Sequence, residues 1–199
     1  MRKLPLIVLG IAGTAGMLVA CSSGGSATPT TSTSASTETT TSTAAVPTVA
    51  HPLDSSKVQS APCSALTKAQ VEAVGVPTPL SGSSTSVLGP GCTWTADAHS
   101  GNINGIELTW DTTDSNGLQF AYDRKSVFTY WTTTSVDGYP AVIGDVMDDR
   151  KSGSCSINVG VSDKMMFIAR YDGLVEPQKS QSCQLVQQVA DDIIKNLGG

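Results

Sequence analysis

Histidine, charge and aromatic rings are all scarce in this chain. Of 199 residues two are histidines, His51 and His99; charged residues make up 15% and aromatics 5%. There is no C-x-x-C pair, no G-x-S-x-G, and no phosphate loop of the G-x-G-x-x-G or G-x-x-x-x-G-K kind. These gaps exclude whole classes of chemistry. A Ser/His/Asp hydrolase needs a base beside its nucleophile, and the distal part of the chain holds one histidine, His99 in "DAHSGN", which reads as an exposed turn. Zinc sites need Cys/His spacing that His51 and His99 do not supply. Nucleotide binding lacks its glycine-rich cradle. We expect no enzyme activity, no metal and no cofactor. Twelve basic residues stand against 17 acidic ones, a formal charge of −5, and two of the bases are Arg2 and Lys3 at the extreme N-terminus. Acidic surfaces repel polyanions, which argues against nucleic acid as a partner.

What is present begins with a leader. Arg2 and Lys3 precede a run from Leu4 to Val19 that is apolar apart from Thr14 and interrupted by Pro5. That run is short of the roughly 20 residues of a membrane-spanning helix and has the flanks of a signal peptide. Its end, Leu18-Val19-Ala20-Cys21, resembles the bacterial lipobox. The resemblance implies removal of residues 1–20, diacylglyceryl lipidation of Cys21, and export to the outer face of the cell membrane. Two acyl chains on one cysteine hold a protein far more firmly than one, so the membrane becomes a partner through Cys21.

Residues 21–60 form the next expected unit. "SATPTTSTSASTETTTSTAAVPT" is almost entirely Ser, Thr, Ala and Pro, too polar to offset the cost of ordering a backbone, and reads as a disordered tether. Residues 61–199 then carry the pattern of one α+β domain. Thr67 and Gln70 are spaced as a capping box, Gly75 stands at the following stop, and Leu66, Val71 and Val74 share a face. Alternation in "GCTWTAD", "INGIELTW", "VFTYWTTTSV", "YPAVIGDVM", "SCSINVGVS" and "MMFIARYD" predicts strands. Turns fall at Asp137–Gly138 and Asp163–Lys164. A helix over Ser115 to Lys125, capped by Asp114, and a last helix opening at Ser182 complete the set. The last one carries a stripe of Leu185, Val186, Val189, Ile193 and Leu197. The expected architecture is an antiparallel sheet of five to six strands with helices packed on one face.

Beyond Cys21 four cysteines remain: Cys63, Cys92, Cys155 and Cys183. An even set in an exported chain predicts two disulfides. Three pairings are open; the sequence-local closures Cys63–Cys92 and Cys155–Cys183 are favoured.

Three weaker features complete the reading. "TTDSNGLQFAYD" approaches a calcium loop, but Thr112 and Asp123 stand where Asp and Glu belong, so it reads as a helix start. Asp145, Asp148 and Asp149 beside Arg150 and Lys151 read as a polar loop. Trp94, Trp110, Trp131, Phe128 and Tyr130 are the aromatic resource, with Phe128 and Tyr130 expected opposite Trp131 on one strand. They either fill the core or line a groove.

Taken in order, the lipobox, the Ser/Thr stretch, "PCSALT", "CTW", "GYPAV", "CSINVGV" and "SCQLVQQVADDIIKNL" resemble the secreted actinobacterial lipoproteins of domain-of-unknown-function family 3558. The resemblance implies the lipid anchor and the disulfides, and no activity. The expected function is a membrane-anchored envelope lipoprotein that binds an envelope protein partner. The alternative is a carrier of a small apolar or lipid ligand in a groove between sheet and helices.

Overall fold

A computed structural model describes residues 45–97, 99 and 103–199. The leader, Cys21 and the Ser/Thr stretch up to residue 44 lie outside the described residues.

Seven strands form a single antiparallel sheet: β1 (Leu80–Thr85), β2 (Pro90–Thr95), β3 (Gly105–Asp111), β4 (Tyr130–Val136), β5 (Tyr139–Asp145), β6 (Ser154–Ser162) and β7 (Met165–Asp172). Their order across the sheet is β1-β2-β3-β7-β6-β5-β4. Two meanders therefore meet at the β3–β7 seam. Expectation stopped at five to six strands because β1, "LSGSST", has no apolar alternation. It is a strand because β2 offers it an unpaired edge, and Leu80 through Thr85 pair along its whole length.

Among the described residues four α-helices accompany the sheet: α1 (Ser56–Ser60), α2 (Lys68–Ala73), α3 (Gln119–Asp123) and α4 (Gln178–Leu197). α4 covers one face. Its buried positions Ser182, Val186, Val189, Ala190, Ile193 and Ile194 recur at helical spacing. They rest on Ile157, Val159 and Val161 of β6 and on Phe167, Ala169 and Tyr171 of β7, all with essentially no exposure. Ile106, Leu108 and Trp110 of β3 extend that layer, and Trp110 meets Phe167 edge-to-face at 5.2 Å. α2 is the helix its capping box announced: Thr67 accepts from Gln70 N, while Gln70 Oε1 accepts from Thr67 N at 2.8 Å. Leu66, Val71 and Val74 are buried beneath it. Asp137 and Gly138 both take positive φ, 47° and 84°, as the tight β4–β5 hairpin requires.

Two disulfides staple helical segments to this face. Cys63 in the 3-10 turn Pro62–Ala65 bonds Cys92 of β2, and Cys183 of α4 bonds Cys155 of β6. Both are the sequence-local closures. Buried Asn104 ties loops together, donating to Gly75 O at 3.0 Å and accepting from Leu174 N at 2.9 Å.

The structure departs from expectation at three further places. α4 opens at Gln178, a turn before Ser182. The helix expected over 115–125 shrinks to α3, followed by a 3-10 turn at Lys125–Val127. Asp114 caps no helix; it accepts from Asn116 N in a turn at 2.9 Å. Packing also begins before Ala61. Val49 and Val58 are buried, Leu53 N donates to Val161 O, and Val49 N donates to Asp163 Oδ1, both at 2.9 Å. Val49 and Leu53 find room where β6 turns into β7, and α1, which carries Val58, lies against β2 and the Pro62–Ala65 turn.

Candidate functional site

The second face of the sheet holds the site. Side chains alternate along a strand, so Ser154, Ser156 and Asn158 of β6 and Met166, Ile168 and Arg170 of β7 point away from α4. Across this face runs the connection from β3, near the middle of the sheet, to β4 at its edge. Leu118 and Ala121 of that connection are buried with Val142 and Met166. A Cβ at Gly160 would come within 3.2 Å of Leu118 Cβ, so the bare glycine lets the connection lie close. Helices thus occupy both faces, α3 standing opposite α4, where one face had been expected.

The connection covers only part of the surface. Beside it two half-open pockets run together, sharing Asp145, Ser156 and Ile168. One, of about 180 Å³, lies under Phe120, Ala121, Val127 and Phe128 and reaches Asn158. The other, of about 230 Å³, reaches Glu107, Thr109 and Arg170 and is bounded by the β1–β2 turn at Ser86–Leu88. Their rim is apolar and wet: Val87 is 92% exposed, and Val127 and Val146 are each exposed by half or more.

Local backbone geometry makes the opening. The β5–β6 ladder pairs only Ala141–Ile143 with Ile157–Val159. Beyond it side chains replace the ladder. Tyr130 Oη accepts from Ser156 N at 3.3 Å, Ser156 Oγ donates to Asp145 at 2.6 Å, and Asn158 Nδ2 reaches Val142 O and Gly144 O at 3.4 and 3.3 Å. Burial pushes the Tyr130 hydroxyl above the ordinary tyrosine value.

Charge in the floor gathers on Arg170, one guanidinium facing three carboxylates. Arg170 donates to Asp172 at 3.0 Å and Asp145 at 3.3 Å, and pairs with Asp149 at 3.5 Å. Ser154 Oγ also bonds Asp172. Burial works against the guanidinium, yet Asp172 and Asp145 outweigh it and hold Arg170 above the usual arginine value. Asp148 is paired twice over with Arg150, which holds its carboxyl down at about 2. The acidic run at 145–149 is therefore two arginine clusters. Among the described residues no group of three or more His, Cys, Asp or Glu is arranged to hold a metal ion.

The other residues singled out in the sequence scatter. His99 is exposed, and its Nδ1 lies 2.8 Å from Asp97. Asp114 and Asp123 of the calcium-like loop are taken by local bonds with Asn116 and Gln119. Trp94 and Trp110 fill the α4-side core. Phe128 corrects an expectation: it precedes β4, so strand alternation does not govern it, and it packs edge-to-face on Trp131 at 5.2 Å beside Tyr122. Sequence reasoning missed Asn158, Ser156, Ile168 and Arg170. Their only signal was polar alternation in "CSINVGV" and "FIARYD", which reads equally as a solvent face. Among the described residues no helix is long and apolar enough to cross a membrane.

These features define a class: an open antiparallel α+β domain with one closed face, stapled by two disulfides, and one grooved face. The sequence profile described as "Protein of unknown function (DUF3558)" matches residues 16–196, and the chain belongs to that family. No match emerges among curated proteins or among solved structures.

Proposed function

We propose that this protein is a non-catalytic binding module of the cell envelope, held on the membrane by a lipid on Cys21, that docks another exported protein along the groove opposite α4. The observation that carries the reading is the contrast between a filled core and a wet apolar rim. Val87, Val127 and Val146 surround a concave floor. Exposed apolar side chains gathered around a groove are what interfaces present. The groove is poorly shaped for carriage: its two joined pockets, of about 180 and 230 Å³, lie half open to solvent and do not enclose a ligand as small-molecule sites do. A lipid tail would leave most of its length uncovered there. The basic leader and the LVAC sequence at 18–21 support the anchor and the export.

The test places a photo-crosslinking residue at Val127 in cells that make the protein, with Gln188 on the outer side of α4 as control. The reading expects one discrete adduct at Val127 and none at Gln188. It further expects the partner, once purified, to bind the wild-type chain and to bind Ile168→Arg at least about tenfold more weakly. Equal adducts at both positions, or undiminished binding by Ile168→Arg, would overturn it. For the anchor, Cys21→Ala should move the protein from the membrane fraction to the soluble one; retention of a processed chain on membranes would refute lipidation.

A further inference from the structure

The sheet ends in two edges of unequal quality. β1 and β4 lie outermost in the strand order, and among the described residues no segment pairs with the outer side of either. β1 is a poor template, with Gly82 inside it and serines on both sides. β4 reads "YWTTTSV", rich in aromatic residues and threonine, and pairs with β5 over all seven residues without a register shift. Natural sheet edges are blunted by lysine, proline or a bulge. β4 holds no charged residue and no proline.

The hairpin turn sets which backbone groups look outward. Val136 and Tyr139 flank the two-residue turn Asp137–Gly138 and close it as a hydrogen-bonded pair. Hydrogen-bonded pairs alternate along an antiparallel ladder. Val136, Thr134 and Thr132 therefore spend their N–H and C=O groups on β5, while Ser135, Thr133 and Trp131 turn theirs away from it. A row of that kind is completed by another extended strand.

The row is complementary to itself. Laid antiparallel about a two-fold axis through Thr133, it sets Thr133 against Thr133, Trp131 against Ser135 and Tyr130 against Val136 of a second copy. Threonine pairs and aromatic–β-branched pairs are favourable cross-strand neighbours. The ends agree in charge as well. Lys125 Nζ lies 5.4 Å from the centre of the Trp131 ring, and Asp137 stands exposed past the far end of β4. The rotation brings the lysine end of each copy toward the aspartate end of the other, an arrangement that favours this register. Pairing β4 with itself also closes the assembly, whereas β4 on β1 would run on as a ring or a filament.

We propose that this chain forms a two-fold dimer by antiparallel pairing of β4 with β4 of a second copy, which joins the two sheets into one. The axis stands perpendicular to the sheet, so both grooved faces look the same way. The inference concerns a different surface from the groove and does not rest on the partner-docking reading.

The experiment uses the full chain in the cells that make it. Thr133 residues of the two copies form a hydrogen-bonded pair with Cα atoms about 5.5 Å apart, within the span of a disulfide. Thr133→Cys should therefore give a linked species of twice the chain's mass on a non-reducing gel. Ser135→Cys should give none, because the two positions lie about 13 Å apart along the strands, and neither should the wild-type chain. A charge swap supplies the second arm. Two differently tagged wild-type copies should co-purify. Thr133→Lys should lose its own copy, and so should Thr133→Glu, since like charges then stand face to face. Thr133→Lys should regain a copy that carries Thr133→Glu. The side chain at 133 is exposed, so these variants keep the fold. Linkage that is equal at 133 and 135, no linkage at 133, or failure of the lysine and glutamate copies to find each other overturns the dimer. If wild-type copies do not co-purify and the Thr133 amide still resists hydrogen exchange, the edge is taken by another strand and the proposal falls. Adducts between copies carry twice the chain's mass, which separates them from the partner adduct read at Val127.

Discussion

Ile157 and Asn158 are neighbours in β6, both shielded from water, and they meet opposite surroundings. Ile157 faces α4 in a layer of aliphatic and aromatic side chains where polar groups are rare. Asn158 lies under a thin cover of α3, on a floor where Ser156, Asp145 and Arg170 hold each other. A twenty-residue helix with one long apolar stripe can seal a face; a five-residue helix cannot. The comparison teaches that core closure and surface access are divided by strand parity. One set of alternate residues closes the core, and the other keeps polar groups on a thinly covered, grooved face.

The division breaks most sharply where the closed face is hollowed. Phe167→Ala removes a fully buried ring from its contact with Trp110 and should cost about 3–5 kcal/mol in denaturant unfolding. Next comes the staple. Cys155→Ser opens a loop of 28 residues and should lower stability by about 3.5 kcal/mol in the chain-entropy account. It should also leave Cys183 as the thiol that a maleimide labels in denaturant; label on Cys63 or Cys92 instead would mean the pairing differs. Thr67→Ala removes the α2 cap and should cost about 1 kcal/mol, read from the same denaturation curve.

The opposite face should respond differently. Ile168 adjoins Phe167 but is only partly buried and lines the groove. Ile168→Ala should cost about 1 kcal/mol, well under the Phe167 value, because much of the removed surface already meets water. Equal losses at 167 and 168 would mean the groove is closed in solution. The smallest effect is electrostatic. Asp148 titrates at about 2, below its ordinary 3.8, because of Arg150. A depressed acid stabilises the fold above its unfolded value and loses that contribution as pH falls through the folded one. Carboxyl chemical shifts should therefore show Asp148 still ionised at pH 3, and Arg150→Gln should return it to the ordinary range. The pair is exposed, so melting temperature should hardly move.

Legibility followed the same parity. The α4 stripe, the layer of Ile106, Leu108 and Trp110, the Thr67 cap and the Asp137–Gly138 turn could all be read, since each rests on local spacing or on one residue's backbone preference. Strand β1 could not, because serine and glycine say nothing of pairing until a neighbouring edge exists. Neither could the docking of Val49 and Leu53, whose partners Asp163 and Val161 stand more than a hundred residues away. The groove was invisible for a related reason. Ser156, Asn158 and Arg170 read as surface residues, and only the crossing of α3 makes them a floor.

By itself the sequence determined an acidic, histidine-poor chain with paired cysteines, an amphipathic last helix and alternating strands. Those properties depend on composition and near neighbours, so no partner across the fold can revise them. Only the tertiary structure decided which cysteines met, that a seventh strand paired, and that β5 and β6 part beyond Ile143. Each of these is a contact between segments far apart in the chain. Its free energy depends on what the distant segment offers, and that is settled only when the sheet closes.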